Sequence, residues 1–261
     1  MPRQALQLYT LREFMKTADS VRTSLQRVRA IGYTAIQLSA VEALNVDLSP
    51  LTLSEWLSEM GIQCIATHRP WEALATDTHS EIEFHKILGC DYVAIAGIPN
   101  GYHRTSSADY RRFVEDSAAV RLELAASGVR FGHHNHAFEF DRGPNGACES
   151  PWEALILQKS ANYYLELDVY WAWHAGINPV ALFKQSLDRV PVVHIKDRAV
   201  LDGEPSMCPI GEGNLPWNEI IPAGNAAGVA WWCVEQDTCS RDPFDSITSS
   251  YTYLSNTFGL Q

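Results

Sequence analysis

Four runs in the second half of the chain put carboxylates or imidazoles at or beside the end of an apolar stretch. They are GHHNHAFEF (132–140), YYLELD (163–168), VPVVHIKDR (190–198) and WWCVEQD (231–237). Histidine, aspartate and glutamate ligate metal ions and move protons, so a cluster of them implies a metal site or an acid–base site. Such groups act together only if the fold brings them to one place. Parallel strands that all stop on polar groups do this, because they aim those groups into one shared mouth.

The elements that would position these groups are legible in the pattern. Apolar, β-branched runs read as strands over Ala5–Tyr9, Thr34–Ser39, Gln63–His68, Tyr92–Gly97, Val129–His134, Tyr163–Asp168, Val190–Lys196 and Val229–Glu235. Helix-period segments lie between them. Ala18–Ile31 puts Val21, Leu25, Val28 and Ile31 on one face, and Ser107–Ser127 carries Phe113, Val114, Ala118, Val120 and Leu124. Strands alternating with helices predict an α/β fold, a single (β/α)8 TIM barrel over residues 1–261. The rival is a doubly wound open sheet; the chain carries no dinucleotide fingerprint, which favours the closed barrel. The Pro/Gly-rich stretches 141–151 and 201–216 follow strand ends and read as loops on the catalytic face.

Strand side chains alternate between faces, and the face toward the helices must be apolar. Setting Leu6 and Leu8, Ile36 and Leu38, Ile65 and Thr67, Leu165 and Leu167, Val193 and Ile195, and Trp232 and Val234 outward sends a polar set inward. That set is Tyr9, Gln37, His68, Asp168, His194 and Glu235. Cys64, Ala66, Glu166 and Lys196 share the inward parity.

Composition bounds the function. The 261 residues are 46% hydrophobic and 20% charged, enough for a large core and too apolar for gross disorder. The net charge of −11 and the lack of a basic stripe argue against a nucleic-acid partner. No apolar run reaches membrane-spanning length, so no membrane partner is expected. The opening MPRQALQLYTLREF does not read as a signal peptide, and the default expectation is a soluble cytoplasmic protein. The six cysteines form no CxxC, which removes zinc-ribbon and redox motifs, and no disulfide is expected. The Trp and Tyr content is compatible with a homo-oligomer.

The runs GHHNHAFEF, LDVYWAWHAGINPV, VVHIKDR and VEQD resemble the sugar phosphate isomerase/epimerase family. This xylose isomerase-like barrel group includes tagatose epimerases, inosose dehydratases and endonuclease IV relatives. LQLYTLRE, GYTAIQLS and PIGEGNLPWNEI are also similar to that family, so the resemblance spans nearly the whole chain. It implies a divalent metal at the C-terminal mouth, held by Glu139, Asp168, His194 and Glu235. Glu139 is the acid of the HNHxFEF run, where His134 and His136 compete for the place at the end of strand five. Gln37 departs from the Glu that many relatives carry.

The implied set of three carboxylates and one imidazole favours Mn²⁺ or Mg²⁺, with Zn²⁺ or Co²⁺ as alternatives. The expected reaction is isomerisation or epimerisation of a sugar, keto-sugar or polyol through an enediolate, with Glu139 and Glu235 moving the proton. The alternative on the same site is a lyase or dehydratase acting on a keto-inositol or a 3-keto-glycoside. The partner is a small-molecule carbohydrate. His68, His134, His136, Trp171, Lys196, Arg198 and Tyr9 are the candidate substrate contacts. Each has a plainer reading beside it. Asp168 is a helix cap, His194 a satisfied core histidine, and Tyr9 a core tyrosine reaching the rim. Glu166 is an interior charge paired with Lys or Arg, while Lys196 and Arg198 are salt-bridged to Asp197 or Glu166. The Gly-rich turn GEG (211–213) could approach a phosphate but lacks the P-loop Lys-Ser/Thr.

Overall fold

The computed structural model describes residues 3–143, 146, 148–160 and 162–261. Parts of the loop 141–151 therefore lie outside the described residues. Eight parallel strands close on themselves: β1 (Arg3–Gln7), β2 (Ala35–Leu38), β3 (Gln63–His68), β4 (Tyr92–Ile95), β5 (Arg130–His134), β6 (Tyr163–Asp168), β7 (Val192–Ile195) and, last in the chain, β10 (Trp231–Val234). Each pairs with its sequence neighbour, except that an antiparallel hairpin, β8 (Asp197–Leu201) and β9 (Glu204–Cys208), intervenes between β7 and β10, and β10 pairs with β1 to complete the ring. The expected closed barrel is the fold. Helices flank it, and no described helix is long and apolar enough to cross a membrane.

Two apolar layers hold the ring. The outer one packs Leu6, Ile36, Leu165, Val193 and Trp232 against the helices. The inner one plugs the barrel floor with Ala5, Ala35, Ile65, Tyr164, Val192 and Cys233. Tyr164 fits only because its neighbour on β5 is Gly132, where a Cβ would stand 2.5 Å from the tyrosine ring. This floor raises the polar layer to the C-terminal mouth.

Three expectations need correction. In β3, Ile36 of β2 pairs with Cys64 while Gln37 pairs with Ala66, so Ile65 is an extra residue. This bulge breaks the alternation. Cys64 packs in the outer layer and Ile65 in the floor, the reverse of the parity reading. Thr67 stays outward, bonded to the buried His85, and His68 stays inward. The segment 107–127 is two helices, Ser107–Asp116 and Ala118–Ala126, meeting at Ser117. Finally, the loop predicted over 201–216 begins inside the β8–β9 hairpin.

Candidate metal centre

β6 ends on Asp168, which also N-caps the helix Val169–His174: its Oδ1 accepts from the Trp171 amide at 2.9 Å. Only Oδ1 is used in this way. Asp168 Oδ2 is buried with no directed hydrogen bond, though Lys196 Nζ lies 2.8 Å away. The cap reading is met by Oδ1, which leaves Oδ2 turned toward Lys196. The Asp168 backbone is clamped by Asn135, whose Oδ1 accepts from the Asp168 amide at 2.8 Å and whose Nδ2 donates to its carbonyl at 3.3 Å. The β6–β7 register sets His194 beside Asp168, and the β5–β6 register sets His134 beside Glu166.

These strand ends converge. One ligand atom from each of His134, Asp168, His194 and Glu235 lies within 4.8 Å of the others, and all four residues are buried. A second overlapping group joins His68, His134, Glu166 and His194. Glu139 is in neither group. It sits in the 3-10 turn Phe138–Phe140, beyond the end of β5. Its Oε1 accepts from the Tyr110 hydroxyl and bonds His133 Nε2, both at 3.0 Å, and its Oε2 accepts from the His136 amide at 2.7 Å. A fully buried carboxylate with these partners fixes the path of residues 133–136 and so the placement of His134.

The electrostatics follow from the contacts. His194 Nε2 lies 2.7 Å from Gln37 Oε1, while Gln37 Nε2 donates to Glu166. His194 Nδ1 lies 3.0 Å from Glu235 Oε2. Both ring nitrogens face acceptors, so both must carry protons. Burial alone would lower this imidazole, but Glu166 and Glu235 outweigh it and raise it to about 9. Burial would raise Glu235, yet Lys196 and His194 hold it well below the usual carboxylate range. Glu166 is likewise pushed up by burial and held low by His68 and His194. Burial dominates at Asp168, which rises to about 6 despite Lys196. His134 is driven well below the ordinary imidazole value by burial and by the rings of His194, His136 and His68, so it is neutral and able to ligate.

Lys196 is fully buried, and its ammonium lies among Asp168, Glu235 and Asp237 rather than against Asp197 or Glu166. Glu166 pairs with His68 and Gln37, not with Lys or Arg. His68 thus lies among the converging groups. His136 stacks on Phe138 and tilts toward Trp171 at 5.7 Å, and Lys196 Nζ stands 5.9 Å from the Trp171 ring centre. Tyr9 lies past the end of β1, with the Arg12 guanidinium stacked 4.4 Å over its ring, so it belongs to the rim. Arg198 opens the hairpin on β8, half-buried, its amide donating to Asp197.

The donors present fit a divalent cation. Two imidazoles and two carboxylates are within mutual reach, and one buried atom among them, His134 Nδ1, lacks a hydrogen-bond partner, while Asp168 Oδ2 meets the Lys196 ammonium. The xylose isomerase-like TIM barrel family model matches residues 25–248. The chain belongs to that family. Solved structures of several family-like barrels superpose on this one. A sugar phosphate isomerase/epimerase from Parabacteroides distasonis has a TM-score of 0.80 at 21% identity, covering 100% of both chains. The IolI protein, described with a zinc atom, has a TM-score of 0.75 at 17% identity, covering 99% of this chain and 100% of its own. An L-ribulose 3-epimerase has a TM-score of 0.74 at 15% identity, covering 98% and 94%. No curated protein matches the chain.

Three residues of this xylose isomerase-like barrel have roles that the sequence did not show. Asn135 lies inside the HNH run, but a clamp on a backbone two strands' length away leaves no local signal. Gln37 was sent to the mouth by alternation and noted as a departure from Glu, but not as the bridge between His194 and Glu166. Asp197 is buried and accepts from the amides of Arg198, Gly211, Gly213 and Leu215 and from Trp217 Nε1. The GEG turn therefore points two of its amides at an internal carboxylate and not at a phosphate.

Proposed function

We propose that this barrel is a divalent-metal-dependent isomerase or epimerase of sugars, keto-sugars or related polyols. The reaction moves a proton at the carbon beside a carbonyl, through an enediolate. The observation that carries this reading is the buried convergence of His134, Asp168, His194 and Glu235 within 4.8 Å. These four side chains would hold the cation, which supplies Lewis acidity toward a substrate carbonyl when bound. Two imidazoles in the set favour Mn²⁺, Co²⁺ or Zn²⁺ over Mg²⁺, since nitrogen donors suit those ions better.

The chain's own groups do the rest. Glu235, kept ionised by Lys196 and His194, takes the proton from carbon. Lys196, fixed by three carboxylates, presents its ammonium to the oxygen on which negative charge grows. The His68–Glu166 pair handles a proton from a second direction, since His68 is the one member of its group that is not fully buried. Trp171 and His136 supply flat faces for sugar C–H surfaces. Glu139, fully engaged with Tyr110, His133 and the His136 amide, positions His134 and takes no proton from substrate.

The test is deuterium incorporation. Metal-loaded protein in D₂O is offered a panel of ketoses, and carbon-bound exchange is followed by NMR. Exchange that disappears in Asp168→Asn and after chelation is the expected result. Metal-loaded protein that exchanges no proton in any ketose contradicts the proposal. A product lighter by water would move the reading to a lyase on the same site.

A further inference from the structure

A cavity of about 670 Å³ opens beside the metal centre and touches it through His68 alone. It runs over the C-terminal ends of β1 to β4, the half of the mouth that holds none of the quartet His134, Asp168, His194 and Glu235. Its volume lies in the range that encloses drug-sized ligands, roughly 300–1,000 Å³, and exceeds what one sugar ring requires. Its lining divides into an apolar part, including Leu38, Val41, Ile95 and Trp71, and a polar part in which Ser39 and Asn45 stand beside charged groups of both signs such as Arg12, Lys16, Glu42 and Glu72. An aromatic face with hydrogen-bonding groups nearby suits a ring that is apolar on its faces and polar at its edge.

The walls are preorganised. Trp71 is braced edge-to-face by Phe113 at 4.9 Å and by Phe131 at 5.9 Å. Arg69 is tied to Glu81 and lies 4.8 Å over Phe84, which fixes the chain just before Trp71. Ala40, also on the lining, holds φ at +53°, a left-handed conformation that costs a residue with a Cβ and clusters at functional sites. Packing against the core does not require so large a braced hollow next to a catalytic cluster.

We infer that the substrate has two rings: the reacting sugar or polyol sits at the metal centre, and a second ring joined to it lies on Trp71 in the cavity over β1 to β4. This inference rests on the proposed reaction and adds the substrate class, a keto-glycoside with a ring aglycone, whose carbonyl stands on the sugar ring away from the glycosidic carbon; simple glycosides serve below as its non-reacting analogues. His68, which belongs to both spaces, stands at the junction.

Binding tests it independently of turnover. Calorimetry compares methyl glucosides with phenyl glucosides and with the disaccharides cellobiose and maltose. In the wild type, a ring-bearing ligand binds at least about tenfold more tightly than its methyl counterpart, a difference of about 1.4 kcal/mol. The stronger arm, phenyl or disaccharide, identifies the second ring as aromatic or as a sugar. Trp71→Ala reduces the preference to near unity while methyl glucoside affinity is kept. Because Trp71 also packs on Phe113 and Phe131, Ala96→Trp provides a second variant. Ala96 is an exposed lining residue, and a bulky side chain there fills the cavity without entering the core. Equal affinity for methyl and ring-bearing ligands in the wild type, or a preference that survives both variants, overturns the inference. Ketose exchange in D₂O without a ring preference sinks this inference and leaves the reaction standing; a ring preference without exchange does the opposite.

Discussion

His194 carries the sharpest prediction at the scale of a single residue. Without a metal its two nitrogens face Gln37 and the Glu235 carboxylate, and its value rises to about 9. The unfolded imidazole titrates near ~6.5. A folded value above the unfolded one gives stability that is complete below about 6.5 and is lost as the pH rises through about 9. Metal-free protein should therefore lose several degrees of Tm between those limits, and His194→Gln should flatten the slope in thermal melts. A wild-type Tm that is level or rising across the window contradicts the assignment. The same geometry means that a cation binding near pH 7 must expel a proton from His194. The residues differ in how far the sequence betrays them. Asp168 ends β6, His194 lies within β7 and Glu235 directly follows β10, so alternation finds them. Glu139 follows the end of β5 by five residues, across a turn where alternation has no meaning. The family resemblance pointed to it, whereas the group within mutual reach contains His134.

At the scale of elements, the segment after β7 shows how a loop is held beside the mouth. Asp197 gathers four amides and an indole N–H into one buried carboxylate, and Gly213 lies against it. A Cβ at Gly213 would stand 2.3 Å from Asp197 Oδ1 and 2.8 Å from the Arg198 amide nitrogen. The backbone atom cannot yield as a flexible side chain would. Gly213→Ala should destabilise the protein by about 1–3 kcal/mol, the usual cost of overpacking, in denaturant unfolding. It should also speed amide exchange across 209–215. Unchanged stability and exchange would show that the Asp197 lock carries no load. The glycines of this turn were visible in the sequence and raised a phosphate, in whose place the structure has the Asp197 carboxylate. That the anion is internal depends on a hairpin, β8–β9, whose short strands carry little apolar pattern. The bulge at Ile65 was hidden for a related reason, because one extra residue leaves the composition of β3 unchanged and alters only its register.

At the scale of the whole molecule, the barrel works as a plugged cylinder. An apolar floor of small residues with Tyr164 lifts a charged layer to one end, and closure through β1 and β10 brings strand ends from both halves of the sequence together. The barrel was legible because strand and helix periods alternate along the chain, and its family membership agrees with that reading. The division of the mouth was not legible. The quartet His134, Asp168, His194 and Glu235 gathers on the β5, β6, β7 and β10 side, and the open cavity lies over β1 to β4. It arises from side-chain volume and loop path, which the strand pattern does not encode. The central claim is that this closure makes a cation site from His134, Asp168, His194 and Glu235, with Glu139 as its support. Calorimetric titration of Mn²⁺ or Zn²⁺ into wild type, His134→Ala and Glu139→Gln tests it most directly. The account predicts a single ion per chain in the wild type and no saturable binding in His134→Ala. In Glu139→Gln it predicts binding of the same stoichiometry, weakened about 10- to 100-fold as expected for a supporting partner. Wild-type-like binding in His134→Ala, with binding lost in Glu139→Gln, would contradict it.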